Sequence, residues 1–175
     1  MLTPLRSILV CASLLAACAS PSEPAPAAPG QPEAQPELAP LDALRAHVGE
    51  LPSWPEHSAQ QIEVQHLLIS FDNKVPGASR SRAEAELLSA QLYAQLRGGA
   101  DFDALVRAHT DDSYPGVYAI HADEAAPSLP GSRPRSGYVP AFGDVGWRLQ
   151  LDEVGVAGFD AARSPYGWHL VRRTR

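Results

Sequence analysis

Two histidines in predicted strands are the residues of this sequence best placed to do chemistry together. His66 stands among aliphatic residues in segment 64–69, and His169 stands near the C-terminus in segment 167–171. Both segments predict strands, so the two imidazoles meet if those strands pair. Taken singly, a histidine inside a strand is more often a hydrogen-bonded core residue than a catalytic one.

Two neighbouring aspartates, Asp111 and Asp112, are the next candidates. They follow a predicted helix, where a carboxylate either satisfies backbone N–H groups or faces a site. Metal binding by these aspartates and the histidines, with His121 as a third imidazole, is an alternative. Because the sequence holds no HxH, HExxH or CxxC spacing, we expect no metal site.

The segments that carry these residues predict an α+β domain. Residues 62–70 predict a strand, and Ser79 is expected to cap an amphipathic helix over 80–96 whose apolar face holds Ala83, Leu87, Leu88, Leu92 and Leu96. The later elements are a helix capped by Asp101, a weak strand over 116–120, a helix over 140–149, and strands over 154–159 and 167–173. This order predicts a small antiparallel four-stranded sheet flanked by helices.

Several segments, in this order, resemble the parvulin family of peptidyl-prolyl isomerases. They are residues 64–69, 96–105, 109–112, 138–142, 147–149, 152–155 and 166–171. The resemblance covers residues 63–174. It implies the parvulin-like fold, peptidyl-prolyl cis–trans isomerase activity without a cofactor, and proline-containing unfolded or nascent polypeptides as substrates.

The resemblance also implies roles for individual residues. His66, His169 and Asp112 are the catalytic candidates, with the two histidines joined through ring nitrogens in opposite tautomers and Asp112 acting by charge and hydrogen bonding. The substrate-binding candidates are Leu68, Tyr138, Phe142 and Tyr166, and Phe142 is expected to form the floor of a proline pocket. The basic residues Lys74, Arg80 and Arg82 are expected to lie in a solvated loop.

One segment departs from the family pattern. Residues 113–120 stand where parvulins carry a glycine-rich segment, and an insertion continues to residue 135. Since this segment supplies part of the pocket wall, a second function stays open. It is a non-catalytic chaperone or interaction lipoprotein that binds unfolded envelope proteins.

The N-terminus has the pattern of a bacterial lipoprotein signal. Arg6 precedes an apolar run over residues 8–15, which is far shorter than the about 20 residues that a membrane-spanning helix needs. Residues 15–18 resemble a lipobox, in which Cys18 becomes the lipidated first residue of the mature chain. Ala19 follows, which favours the periplasmic face of the outer membrane. An ordinary secreted protein is the alternative.

These patterns divide the chain into three parts. Residues 1–17 are the predicted signal peptide, residues 18–60 the lipidated cysteine with a disordered Pro/Ala-rich tether and a short helix, and residues 61–175 the parvulin-like domain. The net charge of −6 argues against nucleic acid as a partner, because phosphate-binding surfaces are basic. The domain is expected to be a monomer that reaches the membrane through the lipid on Cys18.

Overall fold

Helices and strands alternate along the part of the chain that the structure describes, residues 38–175. In this computed structural model the helices are α1 (Leu38–Glu50), α2 (Arg82–Arg97), α3 (Phe102–His109) and α4 (Pro140–Gly146). The strands are β1 (Gln61–Ser70), β2 (Val117–His121), β3 (Arg133–Pro134), β4 (Val154–Ala157) and β5 (Gly167–Arg173). Short 3₁₀ helices cover Leu51–Ser53 and Arg135–Gly137. The predicted signal peptide and Cys18 lie outside the described residues.

The strands form one sheet in the order β3-β2-β1-β5-β4. The β1–β2, β1–β5 and β4–β5 pairs are antiparallel, which confirms the α+β prediction and its four strands. The prediction of an all-antiparallel sheet is corrected by β3, which pairs with β2 in parallel. Sequence periodicity could not reveal this fifth strand, since two residues carry no period.

The central strand β1 is buried on both faces, and alternate side chains serve two cores. Leu67 and Ile69 pack on the side of α2 and α3, whereas Ile62 and Val64 pack on the side of α4. Because successive side chains point to opposite faces, His66 lies on the α4 side of the sheet. The His66 side chain therefore lies in the layer between the sheet and α4.

Helix α2 begins later than the sequence pattern predicts. Ser81, not Ser79, is its N-cap, and Ser81 and Glu84 form a reciprocal capping box. Leu92 and Leu96 are buried as predicted, but the buried stripe continues through Ala85, and Ala83 is exposed. At 3.6 residues per turn, Ala83 lies about 200° around the helix from Ala85.

Helix α1 is part of the folded unit, although the sequence analysis assigned it to the linker. Leu44 is 1% exposed and belongs to the core beneath α2. The Nε2 atom of His47 accepts a hydrogen bond from the backbone N–H of Val156 at 3.1 Å. The folded unit thus starts before residue 61. None of the helices within residues 38–175 is long and apolar enough to cross a membrane.

Truncating a side chain of α1 tests its membership of the core. Leu44→Ala is expected to lower the free energy of unfolding by about 2–5 kcal/mol, because it leaves a cavity among buried side chains. The matched control is Leu151→Ala, since Leu151 is 62% exposed. Urea unfolding of the full-length chain measures both, and equal effects would show that α1 is only loosely attached.

Candidate active site

His66 and His169 meet across the β1–β5 pair, as the sequence analysis predicted. In the register of these strands, Leu68 faces His169 and His66 faces Val171, so the two histidines are diagonal neighbours on one face. His66 Nε2 lies 2.8 Å from His169 Nδ1, and each residue is 4% exposed. The rings are therefore hydrogen-bonded in a buried position, while their part in catalysis stays a prediction.

This bond corrects the expectation of opposite tautomers. The hydrogen bond joins His169 Nδ1 to His66 Nε2. If His169 Nδ1 donates, neutral His66 carries its proton on Nδ1; if His66 Nε2 donates, neutral His169 carries its proton on Nε2. In either case the two rings are the same tautomer. Asp112 Oδ2 lies 3.5 Å from His66 Nδ1 and favours a proton on that nitrogen. His66 Nε2 is then the acceptor and His169 Nδ1 the donor, and both rings are Nδ1–H tautomers.

Burial keeps this pair neutral. It lowers the pKa of His66 below its usual value, although the neighbouring Asp112 carboxylate opposes the shift. Burial lowers the pKa of His169 well below its usual value, and His66 adds to the effect. The His66 imidazole and the Tyr118 hydroxyl hold the pKa of Asp112 well below its usual range. At neutral pH the site consists of two neutral imidazoles beside one carboxylate.

Three aromatic rings cover the histidine pair. Phe142 from α4 lies 4.8 Å from His66 and 5.8 Å from His169 between ring centroids. Tyr118 and Tyr138 pack edge-on to Phe142 at 5.7 and 5.4 Å. These five residues, His66, Tyr118, Tyr138, Phe142 and His169, form what we call the aromatic cluster.

The exposed surface of the aromatic cluster is made by its tyrosines. Phe142 is only 4% exposed, whereas Tyr118 and Tyr138 are half-buried. Phe142 lies against both histidines, but solvent meets the tyrosine rings rather than Phe142 itself, so its role as the floor of a proline pocket stays a prediction. A ligand at this site therefore contacts tyrosine first.

Tyr118 is the site residue that the sequence analysis missed. Its hydroxyl donates a hydrogen bond of 2.5 Å to Asp112 Oδ2, and burial together with that carboxylate raises the pKa of Tyr118. It lies on β2, in the segment that departs from the family pattern. The available signal was alternation, since Tyr118 and Ile120 fall on one face of the weak predicted strand.

The close approach of β2 to His66 depends on Gly116. The backbone N–H of His66 donates to the Gly116 carbonyl at 2.8 Å. Gly116 has a φ of +66°, and a Cβ there would clash with the carbonyl oxygen of His66. Glycine at this position therefore lets Tyr118 reach the histidine pair.

The two aspartates have different surroundings. Asp111 Oδ2 accepts hydrogen bonds from the backbone N–H of Ser70 and from the Arg80 guanidinium, so it connects the end of β1 to the segment before α2. Asp112 instead faces His66 and Tyr118. Of the two aspartates, only Asp112 contacts the aromatic cluster, and its part in catalysis stays a prediction.

The remaining substrate-binding candidates, Leu68 and Tyr166, differ in burial and in their contact with the aromatic cluster. Leu68 is 4% exposed and lies opposite His169 in the strand register, on the same face. Tyr166 is 46% exposed, and within residues 38–175 its ring makes no aromatic contact with the cluster. Its backbone carbonyl accepts a hydrogen bond from Ser70 Oγ at 2.6 Å.

The three basic residues after β1 contact groups of their own domain. Arg80 donates to the Ser70 carbonyl and pairs with Asp111. The Lys74 ammonium and the Arg82 guanidinium lie over the Phe159 ring, at 5.5 and 4.7 Å from its centroid. Lys74 and Arg82 thus share one aromatic ring while Arg80 is paired with Asp111, and Arg82 begins α2 instead of lying in the expected loop. Within the described residues, no three His, Cys, Asp or Glu side chains are grouped so that they could hold a metal ion.

The insertion is anchored to the α4 side of the sheet, which also holds the aromatic cluster. Arg135 forms hydrogen bonds of 2.8 and 2.7 Å with Glu56, and one of 2.5 Å with Asp144 on α4. Arg148 also pairs with Glu56, at 2.8 Å, and Arg163 pairs with Asp144. These ion pairs connect the insertion, the segment before β1 and the helix that presents Phe142.

The neutral histidine pair predicts acid sensitivity of the fold. An unfolded histidine takes up a proton near pH 6.5, while His66 and His169 take one up only at lower pH. The unfolded chain therefore binds more protons as the pH falls below about 6.5, and the free energy of unfolding falls, by up to about 1.4 kcal/mol per pH unit for each histidine.

Urea unfolding at pH values of about 7.5 and 5.5 measures this slope. His47 and His57, whose pKa values are also lowered by burial, contribute to the wild-type slope. The double variant His66→Asn/His169→Asn isolates the pair, and its slope is expected to be shallower. An unchanged slope would contradict a buried neutral pair.

Comparison with known proteins identifies the family. Residues 54–174 match the family model described as the PPIC-type PPIase domain. None of the curated proteins matches the chain. Among solved structures, peptidyl-prolyl isomerase ESS1 from Candida albicans is similar, with 21% identity over 77% of this chain and 74% of that chain and a TM-score of 0.46.

Two further structures are similar in the same sense. The solution structure of TbPIN1 has 14% identity over 67% of this chain and 99% of that chain, with a TM-score of 0.46. PrsA from Bacillus subtilis has 16% identity over 79% of this chain and 46% of that chain, with a TM-score of 0.37. Because the family model covers more than half of the 175 residues, the chain belongs to the PPIC-type, or parvulin-type, peptidyl-prolyl isomerases.

Proposed function

We propose that this peptidyl-prolyl isomerase assists the folding of exported proteins in the bacterial cell envelope. The observation that carries the catalytic part is the hydrogen-bonded His66–His169 pair directly behind Phe142, with Asp112 beside it. The envelope part is supported by the lipoprotein-like N-terminus. A folding catalyst of this kind needs no ATP, which suits an extracytoplasmic location.

The reaction requires an apolar environment around the rotating amide and no reactive side chain. Rotation about an X-Pro bond is opposed by about 18–20 kcal/mol because the planar amide has double-bond character. At the twisted transition state the charge separation of amide resonance is lost. Apolar surroundings favour that less polar state over the planar amide, so binding by aromatic rings lowers the barrier.

Each residue of the site has a part in this scheme. Tyr138 and Tyr118 offer the exposed faces on which a proline ring packs, with Phe142 behind them. The neutral imidazoles back the site without adding a charge that would favour the planar amide. Asp112 positions Tyr118 through their hydrogen bond. No bond breaks, so no nucleophile is required.

Removal of one hydroxyl group tests this assignment. Tyr118→Phe is expected to lower kcat/KM by about threefold to tenfold, because the ring loses its hydrogen bond to Asp112, and tenfold corresponds to about 1.4 kcal/mol. The matched control is Tyr114→Phe. Tyr114 is 47% exposed and outside the aromatic cluster, so its variant is expected to keep the wild-type kcat/KM.

The measurement is the cis-to-trans conversion of a proline tetrapeptide by the purified full-length chain. Equal losses in the two variants would contradict the role of Tyr118. No acceleration by the wild type would contradict the isomerase itself. If the same preparation suppressed aggregation of an unfolded client, the non-catalytic binding protein would be favoured.

The two cysteines of the chain provide a matched test of the membrane anchor. We expect Cys18→Ser to move the protein from the membrane fraction to the soluble fraction and to abolish incorporation of labelled palmitate. Cys11→Ser is the control, since Cys11 lies in the predicted signal peptide and is removed with it. Labelling that survives Cys18→Ser would contradict lipidation at this residue.

A further inference from the structure

The insertion brings one arginine to the edge of the aromatic cluster. The guanidinium carbon of Arg133 lies 5.2 Å from the centroid of the Tyr138 ring, which is the geometry of a cation–π contact. Its Nη2 atom also donates to the Gly137 carbonyl at 3.4 Å. The residue is exposed, so the charged group faces solvent beside the tyrosine surface.

Arg133 has no carboxylate partner within residues 38–175, unlike its neighbour in the insertion. Arg135 is held by Glu56 and Asp144, and the other ion pairs of the described residues also leave Arg133 out. The N–H groups of its guanidinium are therefore available to donate hydrogen bonds to a ligand. This is notable in a chain whose net charge is −6.

The backbone holds Arg133 in place. Arg133 pairs with Ile120 in the β2–β3 register, and Ser136 donates its backbone N–H to Asp123 Oδ1 at 2.9 Å. The first contact joins the end of the insertion to β2, which carries Tyr118, and the second joins it to the residues that directly follow β2. The position of the charge relative to the tyrosines is thus set by the sheet and not by a free loop.

A bound peptide can reach this charge. The Tyr138 ring contacts both Phe142 and Tyr118, so the guanidinium is one ring away from the surface where the proline packs. In an extended peptide consecutive residues are about 3.4 Å apart along the chain. A side chain adjacent to the proline therefore extends to the rim that Arg133 occupies.

We propose that Arg133 is a specificity-determining residue that favours peptides with a glutamate or aspartate next to the proline. This inference rests on the proposed isomerase function and names the substrate class of the same site. The carboxylate of the peptide pairs with the guanidinium at the Tyr138 edge. Asp112 faces His66 at 3.5 Å and accepts the hydrogen bond of Tyr118, and it forms no ion pair with Arg133.

Peptide series that differ in one charge test the proposal. The full-length chain is assayed on proline peptides carrying Glu, Gln or Lys either immediately before or immediately after the proline. At one of these positions kcat/KM is expected to follow the order Glu, Gln, Lys, with about two- to fivefold between Glu and Gln, as for an exposed ion pair. Added salt is expected to compress the order.

Variants assign the preference to the residue. Arg133→Gln is expected to bring the Glu-to-Lys ratio to about one, and Arg133→Lys to retain part of it. The matched control is Arg97→Gln, because Arg97 also lies over a tyrosine ring, at 5.9 Å from Tyr93, and is exposed. The control is expected to keep the wild-type order.

The outcomes separate this inference from the function on which it rests. If the wild type accelerates every peptide equally, or if the preference survives in Arg133→Gln, the role of Arg133 is overturned while the isomerase stands. If no peptide is accelerated, the proposed function fails first. A preference that disappears in Arg133→Gln and persists in Arg97→Gln supports the proposal.

Discussion

The pairing of β1 with β5 is the constraint on which the site depends. It joins His66 to His169, residues 103 positions apart, and it buries both rings in the middle of the sheet. Of the other ring nitrogens, His66 Nδ1 has only the Asp112 carboxylate at 3.5 Å, and His169 Nε2 has no hydrogen-bond partner among the described residues. A buried polar atom without a partner costs about 1–3 kcal/mol, so His169 Nε2 carries a local cost in stability.

The environment of this pair determines its chemistry. Aromatic rings exclude water on one side, and burial keeps both imidazoles neutral. At 3.5 Å the Asp112 carboxylate lies at the outer limit of a hydrogen bond to His66, and this hydrogen bond and the carboxylate charge both oppose the lowering of the His66 pKa by burial. Two neutral imidazoles and aromatic rings beside one ionised carboxylate suit amide rotation, in which no proton has to move.

The insertion that departs from the family pattern completes the site. Its final residues pair with β2 as β3, and Arg135 ties it to α4 through Asp144. The Arg135 guanidinium also lies over the Trp147 ring, at 5.0 Å from its centroid. Because α4 presents Phe142 and β2 presents Tyr118, these contacts hold the two halves of the aromatic cluster against each other.

The sequence by itself determined the α+β fold and the four longer strands, and it placed each histidine on one face of its strand, whereas the pairing of β1 with β5 brings the two rings together. These features follow from local periodicity, because a strand with one polar residue among alternating apolar ones fixes the face of that residue. Capping residues and glycines in the sequence predicted the helix ends nearly as well, although the N-cap of α2 is Ser81 and not Ser79.

Only the tertiary structure decided the rest. The membership of α1 in the core, the position of Tyr118, the shared tautomer and the placement of Arg133 all depend on contacts between residues far apart in the chain. No local pattern encodes such contacts, since each depends on how the insertion and the sheet pack in three dimensions. The lipid on Cys18 stays a prediction from the N-terminal pattern.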